Sequence, residues 1–250
     1  MKRFWMDSLL PLLLLVTIGV LWQVSVRIWD LPPYILPSPG RIILVMAERW
    51  NLLLVNSLVT LGEISVGFVV ALIGGVALAL AIHSSRIVER ALLPLVIASQ
   101  TIPVFAIAPL LILWFGYGMG SKVVMAAIIV FFPIVINTVE GLRATDPDTI
   151  SLLKVLEATP RQIMLKVRIP QALPFVFSGL KIGVAVSVIG AVIGEWVGAR
   201  EGLGYLMIHA NAQLQVDLVF AAIFCLSVMG VTLYALIGLL ERHVVRWRGA

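Results

Sequence analysis

The sequence predicts an all-α, polytopic membrane protein, and three observations carry that prediction. Hydrophobic residues make up 61% of the 250 positions and charged residues only 12%, whereas a soluble domain is roughly half apolar. Several uninterrupted apolar runs reach the ~20 residues that cross a ~30 Å hydrocarbon core. The ~10-residue alternating segments of a membrane barrel are absent from the sequence. The net charge of +5 fits the excess of basic residues on the cytoplasmic side of membrane proteins better than a nucleic-acid partner. Cys225 is the single cysteine, so no intrachain disulfide forms, and its apolar surroundings suit a small packing residue.

Six spans follow in order. The first is Ser8–Val26. Met1-Lys2-Arg3 ahead of an apolar run also fits a secretory signal, but the run is long and no A-x-A-like cleavage site follows it, so a retained span is expected. The segment Ile28–Asn51 holds Pro32, Pro33, Pro37, Pro39 and Gly40, which exclude a regular helix at its start. It should lie over the surface, or serve as a plain connector, before a short helix Arg41–Trp50. The second span is Asn56–Ile82. The third, Ala91–Trp114, contains Pro94, Pro103 and Pro109, a broken helix that survives at membrane depth only where protein or water covers it. The fourth is Lys122–Val139, the fifth Leu173–Gly198 and the sixth Leu218–Leu240. This divides the chain into an N-terminal span with its outer segment (1–55), a core of five spans (56–240) and a basic tail (241–250).

Charge sets the orientation. With the N-terminus cytoplasmic, that side holds Lys2, Arg3, Arg86, Arg90, Arg143, Lys154, Arg161, Lys166, Arg168, Arg242, Arg246 and Arg248. The other side holds Arg27, Arg41, Arg49, Lys122 and Arg200, with Lys181 inside the fifth span. Basic residues mark the cytoplasmic side, so both termini and the loop 141–172 are expected there.

That loop is polar, basic and long for a connector. Asp146-Pro147 reads as a helix N-cap followed by proline at the first helical position. The helix Pro147–Leu156 then carries Ile150, Leu153 and Leu156 or Glu157 on one stripe. Thr159-Pro160-Arg161-Gln162 is a second start, with a Thr-x-x-Gln capping box. A helix Pro160–Ile169 presents Ile163, Met164 and Val167, and Pro170 and Pro174 redirect the chain into the fifth span. Two capping signals suit a folded knob for a soluble partner; an amphipathic hairpin lying on anionic lipid is compatible with the same stripe.

At this loop the sequence resembles the ABC importer permeases. Their cytoplasmic loop has a Glu-Ala-Ala triplet, a glycine three residues on and an Ile-x-Leu-Pro ending. Val167-Arg168-Ile169-Pro170 matches the ending, while Ser151-Leu152-Leu153 stands at the triplet and Glu157 at the glycine. Leu36-Pro37-Ser38-Pro39, Ile102-Pro103, Ala108-Pro109-Leu110, Trp114-Phe115-Gly116-Tyr117-Gly118, Gly194-Glu195-Trp196 and Glu201-Gly202-Leu203-Gly204-Tyr205-Leu206 resemble the taurine, sulfonate and nitrate permease group. The stretch Pro174–Tyr205 is most similar to permeases for thiamin pyrimidine precursors or riboflavin. The resemblance implies the type I ABC importer permease fold in a bacterial inner membrane, a second permease copy, two ATP-binding subunits and an external solute-binding protein. It implies docking of the loop helix in an ATPase groove through Ile150, Ser151, Leu153, Lys154, Glu157, Ala158, Thr159, Arg161, Ile163 and Met164. With Ser151 at the triplet, the family's glutamate ion pair is not expected, and apolar anchors carry the docking.

In the fifth span Gly179, Gly183, Ser187, Gly190, Gly194 and Gly198 recur on one face, a small-residue stripe that lets helices approach closely. It faces a second copy or the pathway, or it packs inside one bundle. Glu195 either lines the outer pathway or accepts hydrogen bonds from the loop Arg200–Tyr205. Glu63 needs a basic partner, Lys181 or another. Gln100, Thr101 and Asn137 contact solute, or they bond between helices. His83 and His209 lack companions at metal-ligand spacing, so neither a metal nor another cofactor is expected. No G-x-x-x-x-G-K-[ST] occurs, so the chain itself is not expected to hydrolyse ATP. A second class, the ion- or proton-coupled secondary transporter, would show inverted repeats and midplane carboxylates; no repeat is visible, and Glu63 is the deep carboxylate.

Overall fold

The computed structural model describes residues 2–249, with side-chain surroundings given from residue 9 to 247 except at position 12. The charges at Lys2, Arg3 and Arg248 therefore lie outside the described side chains. The described residues form eleven α-helices and no strand. In order these are α1 (Lys2–Ile28), α2 (Pro39–Glu48), α3 (Trp50–Ser84), α4 (Arg86–Ser99), α5 (Val104–Phe115), α6 (Met119–Arg143), α7 (Pro147–Val155), α8 (Pro160–Ile163), α9 (Ile169–Gly198), α10 (Leu203–Ala212) and α11 (Val216–Val244). A short 3₁₀ turn, Arg246–Gly249, follows.

Five helices are each long and apolar enough to cross a membrane, and α4 with α5 meets the same test as a pair bent by 100°. The bend falls at 100–103. Pro103 has no amide to donate and disfavours a helical residue before it. Pro94 and Pro109 sit inside helices that continue through them. The pair crosses the bundle: α4 starts where Glu89 pairs with Arg143 of α6 at 2.6 Å, and α5 ends where Ile112 meets Gly198 of α9. Counted this way there are six spans, and each helix extends beyond the stretch expected from hydropathy alone.

The bundle has two distinguishable ends. At the loop end lie residues 143–168, the C-terminus of α3 and the start of α4. At the α10 end lie α2, α10, Lys122 of α6 and Glu195 of α9. α3, α6 and α11 run toward the loop end, and α9 runs against them. The N-terminal helix α1 is largely exposed. It is tied to the rest at the α10 end, where the Trp22 and Phe220 rings pack at 5.4 Å and Gln23 accepts from the Gly40 amide at 3.1 Å.

The core is the α6–α9 seam with α3 laid against α6. A Cβ on Gly179 would lie 2.7 Å from the Pro133 carbonyl, and one on Gly183 would lie 3.0 Å from Val130. A Cβ on Gly190 or Gly194 would lie 3.1 or 3.4 Å from Ala126 or Lys122 of α6. Small residues permit that approach, and dispersion contacts replace the hydrophobic drive that lipid does not supply. The stripe of the fifth span is thus consumed within one chain; it does not face a second copy. α3 carries a matching stripe, with Gly67 against Ala126 and Gly75 against Ile134.

One prediction about the chain path is corrected. Pro170 and Pro174 do not redirect it: Pro160–Gly198 is a single 39-residue helical stretch. Met164–Arg168 is a π-helical turn, in which the Ile169 amide reaches back to the Met164 carbonyl. The wider turn accommodates Pro170, which lacks the donor an α-turn would use.

Candidate functional sites at the two ends of the bundle

At the α10 end, α3 presents Asn56, Thr60 and Glu63 on one buried face, spaced four and three residues apart as one helix side requires. Thr60 Oγ1 donates to Glu195 Oε1 at 2.6 Å and accepts from the Leu203 amide at 2.9 Å. Asn56 Oδ1 accepts from the Gly202 amide at 2.7 Å. The other Glu195 oxygen accepts from the Gly204 amide. Glu195, in α9, therefore caps the first turn of α10 from outside, where free amides and the helix dipole favour a carboxylate. Gly202 makes this possible. Its φ is +115°, and a Cβ there would sit 2.3 Å from the Glu195 carboxyl.

Glu63 is paired with Lys122 Nζ at 2.6 Å, both side chains being almost wholly buried. Lys181 pairs instead with Glu241 of α11. The sequence placed Lys122 among the loop charges of the far side; the fold turns it inward from the start of α6. The second Glu63 oxygen has no partner, and Glu63 and Lys122 line a cavity of about 410 Å³ with Tyr117, Met119, Arg200 and Glu201. A ~300 Å³ pocket lined by Glu195, Trp196, Tyr205 and His209 shares Tyr117 and Arg200 with it.

The six expected pathway residues separate. Glu195, Gly190 and Gly194 are buried within the chain, held by the α10 cap and by α6. Asn137 is half-buried and donates to the Pro133 carbonyl of its own helix at 2.8 Å. Gln100 and Thr101 are exposed at the α4–α5 break, where Thr101 Oγ1 donates to the Ala98 carbonyl at 2.7 Å.

At the loop end, both sequence caps form. Asp146 accepts from the Asp148 and Thr149 amides at 3.3 and 3.1 Å. The Thr149 hydroxyl, together with those amides, holds the Asp146 carboxyl below its ordinary range. Thr159 and Gln162 complete the capping box at α8. Between them the chain turns through Glu157 at φ +58°. The Ala158 amide donates to the Leu153 carbonyl at 2.9 Å, and the Glu157 amide to the Lys154 carbonyl at 3.0 Å. This is the Schellman ending, which places its left-handed residue, usually glycine, at this position.

The apolar stripe is differently aimed from the one expected. Ile163 is buried, and Ile150, Leu153, Ala158 and Met164 are half-buried. The outward ridge of α7 is Leu152, Val155 and Leu156, exposed by 60, 79 and 68%, with Ser151, Lys154, Glu157, Thr159 and Arg161 exposed around it. The α7 turn is short, so a 3.6-residue period read from nine residues left the inward face ambiguous.

Residues 71–246 match the family described as the binding-protein-dependent transport system inner membrane component. The chain is 47% identical over 224 residues to a probable ABC transporter permease protein of Haemophilus influenzae, covering 90% of this chain and 91% of that one. It is 41% identical to the formylaminopyrimidine transport permease protein ThiX of Halalkalibacterium halodurans, over 99% of both. It is also 41% identical to the riboflavin transport system permease protein RibX of Chloroflexus aurantiacus, over 100% of this chain and 94% of that one. Six helical spans, a capped two-helix loop and these matches converge: the chain belongs to the inner-membrane permease components of binding-protein-dependent ABC importers.

Proposed function

We propose that the chain forms half of the pore of an ATP-driven importer for a nitrogen heterocycle of the pyrimidine or flavin kind. Two copies pair with two ATP-binding subunits, and a solute-binding protein delivers cargo at the α10 end. The loop end faces the cytoplasm, as do both termini, because the basic residues collect there. The substrate class rests on the higher identity to ThiX and RibX, 41% each, than to the aliphatic sulfonates permease SsuC of Bacillus subtilis, 32%.

The observation that carries the coupling role is the exposed ridge Leu152–Val155–Leu156 on a doubly capped, folded loop. Three large apolar side chains on one short helix fit the helix-in-groove mode of recognition. Glu157, Arg161 and Lys154 form a polar rim that sets register. Within the membrane, Gln100 and Thr101 line the solute's route at the α4–α5 break. Closure of the ATPases moves α7, and the bundle alternates between its two open states as a rigid body.

Leu152→Asp and Val155→Asp should each cut co-purification of the ATPase at least about tenfold, since burying an unpaired charge in an apolar groove costs on the order of 2 kcal/mol or more. Insertion of the permease should be unchanged. Unaltered ATPase binding in both variants would overturn the docking role. The substrate class is tested on the solute-binding partner: tight binding of a sulfonate, with none of a pyrimidine or flavin, would refute it.

A further inference from the structure

A further polar cavity, of about 370 Å³, opens at the loop end, and the transport role leaves it unexplained. Arg143, Lys154, Arg168, His83, Thr145 and Ser151 contribute to its wall, and no carboxylate does. Two acids that adjoin the lining residues are engaged elsewhere. Asp146 is folded into the α7 cap, and Glu89 pairs with Arg143 from α4. Two donors in this wall are shut away from water with nothing to bind. Thr145, only 4% exposed, has an unpartnered Oγ1, and Arg168 has an unpartnered Nε. Buried polar atoms are almost always satisfied, so each such exception calls for a partner. Arg168 also donates from Nη1 to His83 Nε2, which fixes its guanidinium plane and leaves the Nε edge free.

We propose that this cavity binds a net-anionic phosphate, either the headgroup of an anionic lipid or free inorganic phosphate. With Arg143 already paired with Glu89, Lys154 and Arg168 remain as two lining cations without a carboxylate, and a doubly charged phosphate balances them with several acceptor oxygens on one centre. Arginine meets such oxygens with directed, charge-assisted hydrogen bonds. The wall draws on the end of α3, the end of α6, the 144–146 connection, α7 and the π-helical turn. A bound anion therefore clamps α7 to the bundle and fixes the angle at which its ridge is presented. The consequence for coupling rests on the docking role proposed above; the binding itself does not.

The full-length protein in phosphatidylcholine nanodiscs is compared in three conditions: chloride alone, inorganic phosphate at the same ionic strength, and phosphatidylglycerol added to the disc. The readout is amide hydrogen exchange over 145–156. Occupancy at about ten times Kd slows local opening about tenfold. Protection in the phosphate arm identifies a free anion, and protection only with phosphatidylglycerol identifies a headgroup. No protection in either arm overturns the proposal. Arg168→Gln and the near-isosteric Thr145→Val should abolish the anion-dependent protection, while Arg86→Gln, outside the cavity, should retain it. Equal loss in Arg86→Gln, or full protection in both cavity variants, would mean general charge screening and would also overturn it.

Discussion

Two residues show what a single backbone angle decides. Glu157 holds a left-handed conformation at φ +58°, which costs an L-residue about 1–2 kcal/mol. Glycine removes that cost but adds about 0.4–1 kcal/mol of unfolded-state entropy. Glu157→Gly should therefore stabilise the α7 ending by about 0.5 kcal/mol, seen as slower amide exchange at 153–158, and Glu157→Val should accelerate it. Gly202 has no such latitude. Its positive φ and the Glu195 carboxyl 2.3 Å from a would-be Cβ predict that Gly202→Ala costs at least ~2 kcal/mol, read as a lowered thermal midpoint. Asp146 gives a pH signature. Its pKa is depressed by the Thr149 hydroxyl and the capping amides, so the cap is intact above the ordinary aspartate range. It is lost as pH falls through the lowered value, and helical signal at α7 should persist to more acid pH than in Thr149→Val.

Between elements, the buried Glu63–Lys122 pair joins α3 to α6. Removing one partner strands a charge, so Lys122→Met should cost about 3–5 kcal/mol, whereas the double variant Glu63→Leu with Lys122→Met should recover most of it. Thermal unfolding of both variants measures the difference; equal loss would mean that the pair is not coupled. Both helices of this pair were legible as spans from hydropathy, and the loop caps from Asp146-Pro147 and Thr159-Pro160. The pair itself was not. Lys122 sits beside an interfacial Gly-Met-Gly-Ser stretch that reads as loop, and only the helix packing turns it inward. Asn56, Thr60 and Glu63 did share a helical spacing, the one signal that pointed to a polar face. The stripe on α9 was visible, but periodicity cannot name the helix that fills it, and that helix is α6. Pro170 was misread because a π-helical turn is a tertiary accommodation with no sequence mark of its own.

At the scale of the molecule, transport in proteoliposomes holding the assembled complex should depend on ATP and be indifferent to an imposed proton gradient; uptake driven by the gradient alone would exclude an importer of this kind. The inserted direction proposed above from charge bias is tested by protease access to the loop 143–160 from one side of sealed vesicles, with cleavage expected from the cytoplasmic face alone. The unbroken stretch Pro160–Gly198 has a mechanical meaning. Thirty-nine residues at ~1.5 Å each make a rod about 58 Å long. Its foot is the capping box beside α7, and its head carries Glu195, whose carboxylate holds the first turn of α10. No hinge loop lies between them to absorb displacement, and the π-helical turn at 164–168 is the one place where the winding changes. A tilt applied at the foot would therefore arrive at the head as a pull on the α10 cap, making the stretch a crank whose far end holds the latch.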